Sequence, residues 1–204
     1  MEALLSPGPT WSPLHDDLCT QRKVALHRAM RIGLDNLIYS RDCLVGLGPD
    51  PLLDQLMRAA GFRQLDYVAT RFAACGASAT VVVLAQRVWK DPDGRAQAIE
   101  VKRSARAERT RCILIPSSAV QSTVRAVVAR TIARGRRVVF GREEEEAVLA
   151  HVREARISTV RGAAQSVEDH PDPFGVILSM IARGQLDIDR SRALSAESWL
   201  TTVI

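Results

Sequence analysis

The residues with the most specific chemistry in this chain are Glu100 and Lys102, separated by Val101 near the middle of the sequence. On a β-strand, residues two apart point to the same face, so the carboxylate and the ammonium group would share one space. There the carboxylate can bind a hard divalent cation such as Mg²⁺, and the lysine can orient water or stabilise charge on a phosphate. We therefore predict Glu100 as a metal ligand and catalytic residue and Lys102 as its catalytic partner. The alternative is a solvated strand face.

Positive charge is concentrated directly around and after this triplet. Residues 100–142 contain 11 Lys and Arg against 2 Asp and Glu, whereas residues 1–99 contain 11 against 10 and residues 143–204 contain 6 against 11. Clustered arginines bind the phosphates of a polyanion and release its counterions, which makes the binding strongly salt-dependent. The segment predicts a surface for double-stranded DNA, formed by Arg103, Arg106, Arg109, Arg111, Arg125, Arg130 and Arg134.

A β-hairpin is predicted to carry the triplet. Residues 91–94 read Asp-Pro-Asp-Gly, which is a compact turn signal, and the segments on either side, 79–89 and 96–102, are typical of strands. Glu100 and Lys102 would then lie at the end of the second strand.

Helices and strands are predicted to alternate along the rest of the chain, which implies a sheet with helix crossovers. Asp50 is predicted to cap a helix that has Pro51 at its first position, so that Asp54 lies in the first turn. The remaining predicted elements are helices over residues 14–39, 118–135 and 143–156 and strands over residues 65–72, 112–115 and 138–140.

The last quarter of the chain is predicted to be a separate small module. Residues 158–173 are polar and contain prolines, which is typical of a linker, and a short helix, a short strand and a last turn follow. We predict three parts, namely an N-terminal helical region at 1–49, an α/β core at 50–157 and a linker with a C-terminal module at 158–204.

Two stretches of the chain resemble a known nuclease family. Asp93-Gly94 followed by Ala98 to Lys102, together with the tail from Val176 to Asp189, resembles the TnsA-like transposon end-cleaving endonucleases of the PD-(D/E)xK superfamily. The resemblance implies an α/β, restriction-endonuclease-like mixed sheet flanked by helices, with a small C-terminal helical or winged module. It also implies Mg²⁺-dependent cleavage of double-stranded DNA and a transposase or other assembly subunit as a protein partner.

The sequence departs from that family at the other metal ligands. The family has an aspartate on the strand before the triplet and a glutamate on a preceding helix. Residues 81–86 here read Val-Val-Val-Leu-Ala-Gln, and no glutamate occurs between Glu2 and Glu100. Asp54 is the candidate second acid, and Asp91 or Asp93 would serve only in another hairpin register. The alternatives are a non-catalytic DNA-binding or assembly protein with a degenerate nuclease fold, and an unrelated DNA-binding regulator.

The remaining features narrow the protein class. No apolar run is long enough to span a bilayer, and the N-terminus lacks the pattern of a signal peptide, so we expect a cytoplasmic protein. The four cysteines form no C-x-x-C pair and are predicted to be reduced, and the histidines lack metal-ligand spacing. Trp11, Trp89 and Trp199 are too far apart in the sequence to predict a base-stacking platform.

Overall fold

The computed structural model describes residues 13–41, 43–155 and 157–203, with side chains from Thr20 onward. Helices and strands alternate along most of this length. In chain order the elements are α1 (Pro13–Tyr39), β1 (Leu44–Gly48), α2 (Pro51–Ala59), β2 (Tyr67–Ala74), β3 (Ala77–Leu84), α3 (Gln86–Lys90), α4 (Pro92–Ala107), β4 (Cys112–Pro116), α5 (Ser117–Gln121), α6 (Val124–Gly135), α7 (Arg142–Glu154), β5 (Ser158–Thr159), α8 (Val160–Gln165), α9 (Pro173–Ala182), β6 (Leu186–Asp187) and β7 (Trp199–Thr202).

The first four strands form one mixed sheet in the order β1-β2-β3-β4. Strands β1, β2 and β3 are successively antiparallel, whereas β4 is parallel to β3. Cys75 and Gly76 form the two-residue turn between β2 and β3, and both have positive φ, at 47° and 81°. Two residues with positive φ are what a type I′ hairpin turn requires. Because β4 is parallel to β3, the connection through α3 and α4 is a helical crossover.

Helices cover both faces of this sheet. Gly46 pairs with Phe72 and Thr80 pairs with Arg71, so Gly46 and Thr80 lie on opposite faces. Ile38 of α1 lies against Gly46, whereas Asp50, at the start of α2, accepts a hydrogen bond from the hydroxyl of Thr80. Helix α5 contacts α1, and α4 contacts α2. The buried apolar residues between these layers form a first core that draws on residues 30–120.

A second core draws on residues 128–200, from α6 through β7. Its three short strands are antiparallel and lie in the order β5-β7-β6. Helix α6 packs closely along α9, because Gly135 lies directly against Leu178 and leaves no room for a β-carbon. The cores therefore divide the chain near residue 122, whereas the sequence predicts the division after residue 157.

Helix α1 joins the two cores, since it contacts the first sheet and also α5 and α6. Two arginines from the C-terminal half donate hydrogen bonds to backbone carbonyls at its end. Arg136 donates to the carbonyl of Tyr39 at 3.2 Å, and Arg190 donates to that of Ser40 at 2.9 Å. Cations are favoured at a helix C-terminus, where backbone carbonyls lack partners within the helix.

The α/β class and the mixed sheet flanked by helices are confirmed. The strand predicted over 96–102 is wrong, because those residues belong to α4, and the hairpin lies one element earlier, between β2 and β3. Residues 138–140 form no strand, and the N-terminal helical region predicted at 1–49 also includes β1. Among the residues that the structure describes, no helix is long and apolar enough to cross a bilayer.

Candidate nucleic-acid interface

The helical state of α4 determines where the predicted catalytic residues lie. Asp91 caps the helix by accepting from the backbone N–H of Gly94 at 3.2 Å, and Pro92 occupies the first helical position. The buried residues of α4 are spaced as a single helical face, namely Gly94, Ala98, Val101 and Ala105. Residues two apart on a helix point in different directions. Glu100 and Lys102 therefore do not share a face, and the geometry predicted for a metal-dependent nuclease is absent from the triplet.

Neither predicted acid is arranged as a metal ligand. Glu100 is exposed and forms an ion pair with Arg103 one turn along α4. Asp54 pairs with Arg58 and accepts from the hydroxyl of Tyr67 at 2.5 Å. Asp54 lines a separate cavity of about 360 Å³ that does not include the triplet. Burial, followed by the hydrogen bond to Asp54, raises the pKa of Tyr67. The part of the chain with described side chains holds no group of three or more His, Cys, Asp or Glu placed to bind a metal.

The structure does bring the basic residues next to the triplet together. A groove of about 790 Å³ lies between α4 and β4, the latter being an edge strand of the sheet. We call it the α4/β4 groove. Its lining consists of Lys102, Arg103 and Arg106 from α4, Arg109, Thr110 and Arg111 from the turn that follows, Cys112, Ile113 and Leu114 of β4, and Trp89 and Ile99.

Most of the cations in this groove have no internal anion. Arg103 pairs with Glu100, but the structure gives no ion pair with a described residue for the side chains of the other four, Lys102, Arg106, Arg109 and Arg111. Basic side chains held close together without carboxylates produce a positive potential that attracts polyanions.

The single thiol in the groove wall does not add a reactive group. Cys112 is 6% exposed, and burial raises its pKa to about 11, against the opposing effect of the nearby Lys102. A thiol is nucleophilic only as the thiolate, so Cys112 is unreactive at neutral pH.

An arginine occupies a conformation at the end of α4 that usually favours glycine. Arg109 has a φ of 56°, and the next residue, Thr110, donates its backbone N–H to the carbonyl of Ala105 at 2.8 Å. This arrangement closes a helix C-terminus of the left-handed type. A non-glycine residue there costs about 1 kcal/mol or more. Arg109 lines the groove, where a glycine at the same position would supply no charge.

The other three predicted DNA-binding arginines are not part of this groove. Arg125 lines a different cavity, of about 610 Å³, together with Asp189 and Arg190. Arg130 donates to the backbone carbonyl of Gln121 at 3.4 Å, and Arg134 is exposed in the last turn of α6. Arg125, Arg130 and Arg134 therefore lie outside the groove, and their role in DNA binding stays a prediction.

Trp89 is a groove residue that the sequence interpretation missed. It belongs to α3, is partly buried against the first core and also lines the groove. Distance in sequence from other tryptophans gave no indication of this position. The sequence does contain one indication, the Asp-Pro pair at residues 91–92 that begins α4. Had this pair been interpreted as a helix start, Trp89 would have been placed at the junction between α3 and the basic helix α4.

Comparison of the chain with protein-family models, with curated proteins and with solved structures finds no match.

Proposed function

We propose that this protein is a non-catalytic nucleic-acid-binding protein that binds DNA along the α4/β4 groove, on a degenerate nuclease-like fold. The observation that carries this proposal is the convergence of Lys102, Arg103, Arg106, Arg109 and Arg111 on one open groove, with one ion pair among them. Phosphate contacts of this kind supply most of the affinity of sequence-independent DNA binding.

The topology of the first sheet supports the degenerate nuclease-like fold. In the nuclease superfamily that the sequence resembles, the metal-binding triplet lies on a strand that is followed by a helix and another strand. The strand in that position here is β3, which leads through α3 and α4 to β4. Its eight residues are Ala, Ser, Ala, Thr, Val, Val, Val and Leu, with no carboxylate and no lysine. A strand of this composition supplies no ligand for a hard divalent cation.

The C-terminal unit supports a role in assembly more than one in reading DNA. The elements of this unit from α7 onward follow the order α7, β5, α8, α9, β6 and β7, and its sheet has the order β5-β7-β6. This succession corresponds to a winged-helix arrangement, which we include in the proposal. In that arrangement α9 would be the helix that enters the major groove. Here α9 is almost entirely buried, and α6 packs along it. A protein partner for this unit, such as a transposase subunit, stays a prediction from the resemblance.

The test is a binding titration of the full chain with a labelled DNA duplex of mixed sequence, followed by fluorescence anisotropy. The double variant Arg106→Glu/Arg109→Glu should bind about 100-fold more weakly at moderate salt, because it places two anions among the phosphate-binding cations. The matched control is Arg28→Glu/Arg153→Glu, which makes the same change of charge at exposed positions on α1 and α7. The control should weaken binding by no more than about twofold, through net charge alone.

Two results would contradict the proposal. Equal loss of affinity in the groove variant and the control would mean that the groove is not the contact surface. Cleavage of the duplex in Mg²⁺ or Mn²⁺ that is lost in Glu100→Gln would mean that the protein is a metal-dependent nuclease, as the triplet alone predicts. We expect no cleavage, and we expect binding in Glu100→Gln to be unchanged or tighter, because the change removes an anion beside Arg103.

A further inference from the structure

The α4/β4 groove is lined by apolar side chains as well as by basic ones, and we call the apolar group, Trp89, Ile99, Ile113 and Leu114, its apolar floor. We propose that it binds a single strand of nucleic acid, with one unpaired base stacked on Trp89 and the flanking phosphates on the arginines. This inference rests on the proposed function and specifies which form of nucleic acid the same groove binds.

The floor is unusual for a surface that meets only duplex phosphates. Trp89, Ile99, Ile113 and Leu114 all line the groove, and Ile99 is 42% exposed although it stands among cations. A duplex presents phosphates on its outside and keeps its bases stacked. A single strand presents phosphates together with free base faces, which stack on aromatic side chains in a sequence-tolerant way. The apolar floor can therefore contact the free bases of a single strand, whereas the phosphates of a duplex offer it no apolar surface.

The free edge of β4 adds polar groups that a base can use. Strand β4 pairs with β3 on one side, and no strand formed by the described residues pairs with its other side. Backbone N–H and C=O groups on an edge strand point outward without partners in the sheet. Unstacked bases of a nucleic-acid strand form hydrogen bonds along their edges, and backbone groups of this kind can provide the partners. A groove of about 790 Å³ is within the size range of sites that enclose small ligands, and an unpaired base is small enough to enter it.

The experiment compares three probes of the same length, about 12 nucleotides, which is within the range of single-strand site sizes. They are a pyrimidine single strand, its duplex, and an abasic strand that retains the phosphates and lacks the bases. The single strand should bind about tenfold more tightly than the other two, since only it supplies stacking. Trp89→Ala should lose about tenfold for the single strand alone, and Trp89→Phe should restore most of that loss.

The controls separate this inference from the proposed function. Trp199→Ala removes a tryptophan that is 69% exposed on β7, away from the groove lining, and should change nothing. Ile99→Gln serves as a second groove variant, because Ile99 is exposed enough to be replaced without opening the core. It should weaken single-strand binding and leave duplex binding unchanged, because it replaces an apolar side chain without adding a charge.

Several results would overturn the inference. If the single strand, the duplex and the abasic strand bind equally, while Arg106→Glu/Arg109→Glu still abolishes binding, the groove contacts phosphates only, and the proposed function stands without the stacked base. If none of the three probes binds, the proposed function fails as well. If an extended acidic peptide displaces the single strand at equal concentration, the edge of β4 binds protein instead.

Discussion

Two arginine-rich regions of this molecule differ in what their charges contact. In the α4/β4 groove, four of the five cations have no ion pair within the described structure. In the loop between β6 and β7, Arg190 lies 3.8 Å from Asp187 and Arg192 lies 3.3 Å from Asp189. Arg190 also donates to the carbonyl of Ser40. The density of arginine in a sequence therefore does not by itself indicate a binding surface; a lack of internal partners for those arginines does.

One acid of the second region, Asp189, is itself stabilised as an anion. Hydrogen bonds from the hydroxyl and the backbone N–H of Ser191 lower the pKa of Asp189, and the nearby Arg192 acts in the same direction. Burial lowers the pKa of the Arg190 guanidinium, which Asp187 opposes. This loop is an internally compensated network that joins the C-terminal unit to α1, whereas the groove is left with charge for an external anion.

Salt should produce the largest difference between the two regions. If four or five cations of the groove neutralise phosphates, the affinity for a duplex should fall about 100-fold or more between about 50 and 200 mM salt. Arg106→Ala/Arg109→Ala should reduce the slope of log K against log salt by about 2, because two phosphate contacts are lost. Arg192→Ala should leave the slope unchanged. Equal slopes in all three proteins would remove the distinction between the regions.

The groove wall should also respond to high pH, through Cys112. Its thiol has a pKa of about 11 in the folded chain against an ordinary value of 9.0. Between pH 9 and 11 the unfolded chain loses this proton while the folded chain keeps it, so stability falls as pH rises through this window. The free energy of unfolding should decrease by about 2–3 kcal/mol from this group. Chemical denaturation should show the advantage of the wild type over Cys112→Ala shrinking across that window; parallel curves would contradict the burial argument.

Loss of Arg190 should reduce stability without changing nucleic-acid affinity. Its side chain is 18% exposed, and its removal leaves the carbonyl of Ser40 without that donor. Hydrogen bonds that involve a charged group contribute about 1.5–3 kcal/mol, so Arg190→Ala should lower the free energy of unfolding by about 2 kcal/mol. The control is Arg192→Ala, whose ion pair is exposed and should contribute less than about 1 kcal/mol. A large loss of binding in Arg190→Ala would place this loop in the interface.

The smallest effect should come from Arg109, and its two consequences should have opposite signs. Arg109→Gly relieves the strained φ and should stabilise the chain by about 0.5–1 kcal/mol, while binding becomes several-fold weaker. Arg109→Ala keeps the strain and removes the same charge, so it should weaken binding equally without a gain in stability. If Arg109→Gly binds as tightly as the wild type, the strain has no relation to binding.

Two Asp-Pro pairs explain why part of the fold could be predicted and part could not. At Asp50-Pro51 the apolar residues that follow are leucines and a methionine, so the helix is evident from the sequence, and it is observed as α2. At Asp91-Pro92 the same cap begins α4, but its buried face consists largely of glycine and alanine. Small residues give a weak hydrophobic pattern, and the glycine of Asp-Pro-Asp-Gly indicated a turn instead. A helix cap and a turn share their residue types, so the sequence alone did not separate them.

The candidate site shows the same limits. The cluster of arginines after the triplet could be predicted, and four of the seven named arginines do meet in the groove. Their convergence depends on a helical spacing of three residues between Arg103 and Arg106, which the strand interpretation did not provide. The apolar floor depends on tertiary contact between α3, α4 and β4, which no local pattern encodes. The Cys75-Gly76 turn was missed because cysteine is an uncommon residue at positive φ.

The hydrogen bonds at the end of α1 also bear on the order in which the molecule is completed. Arg136 and Arg190 reach carbonyls that lie 97 and 150 residues earlier in the chain. During synthesis from the N-terminus, the first sheet can therefore assemble while the end of α1 is still hydrated. The Ser40 carbonyl can receive Arg190 only after residue 190 has left the ribosome, since domains fold as their residues emerge. The joint between the two cores is thus completed later than the first sheet, and the basic groove is displayed before the unit that follows is in place.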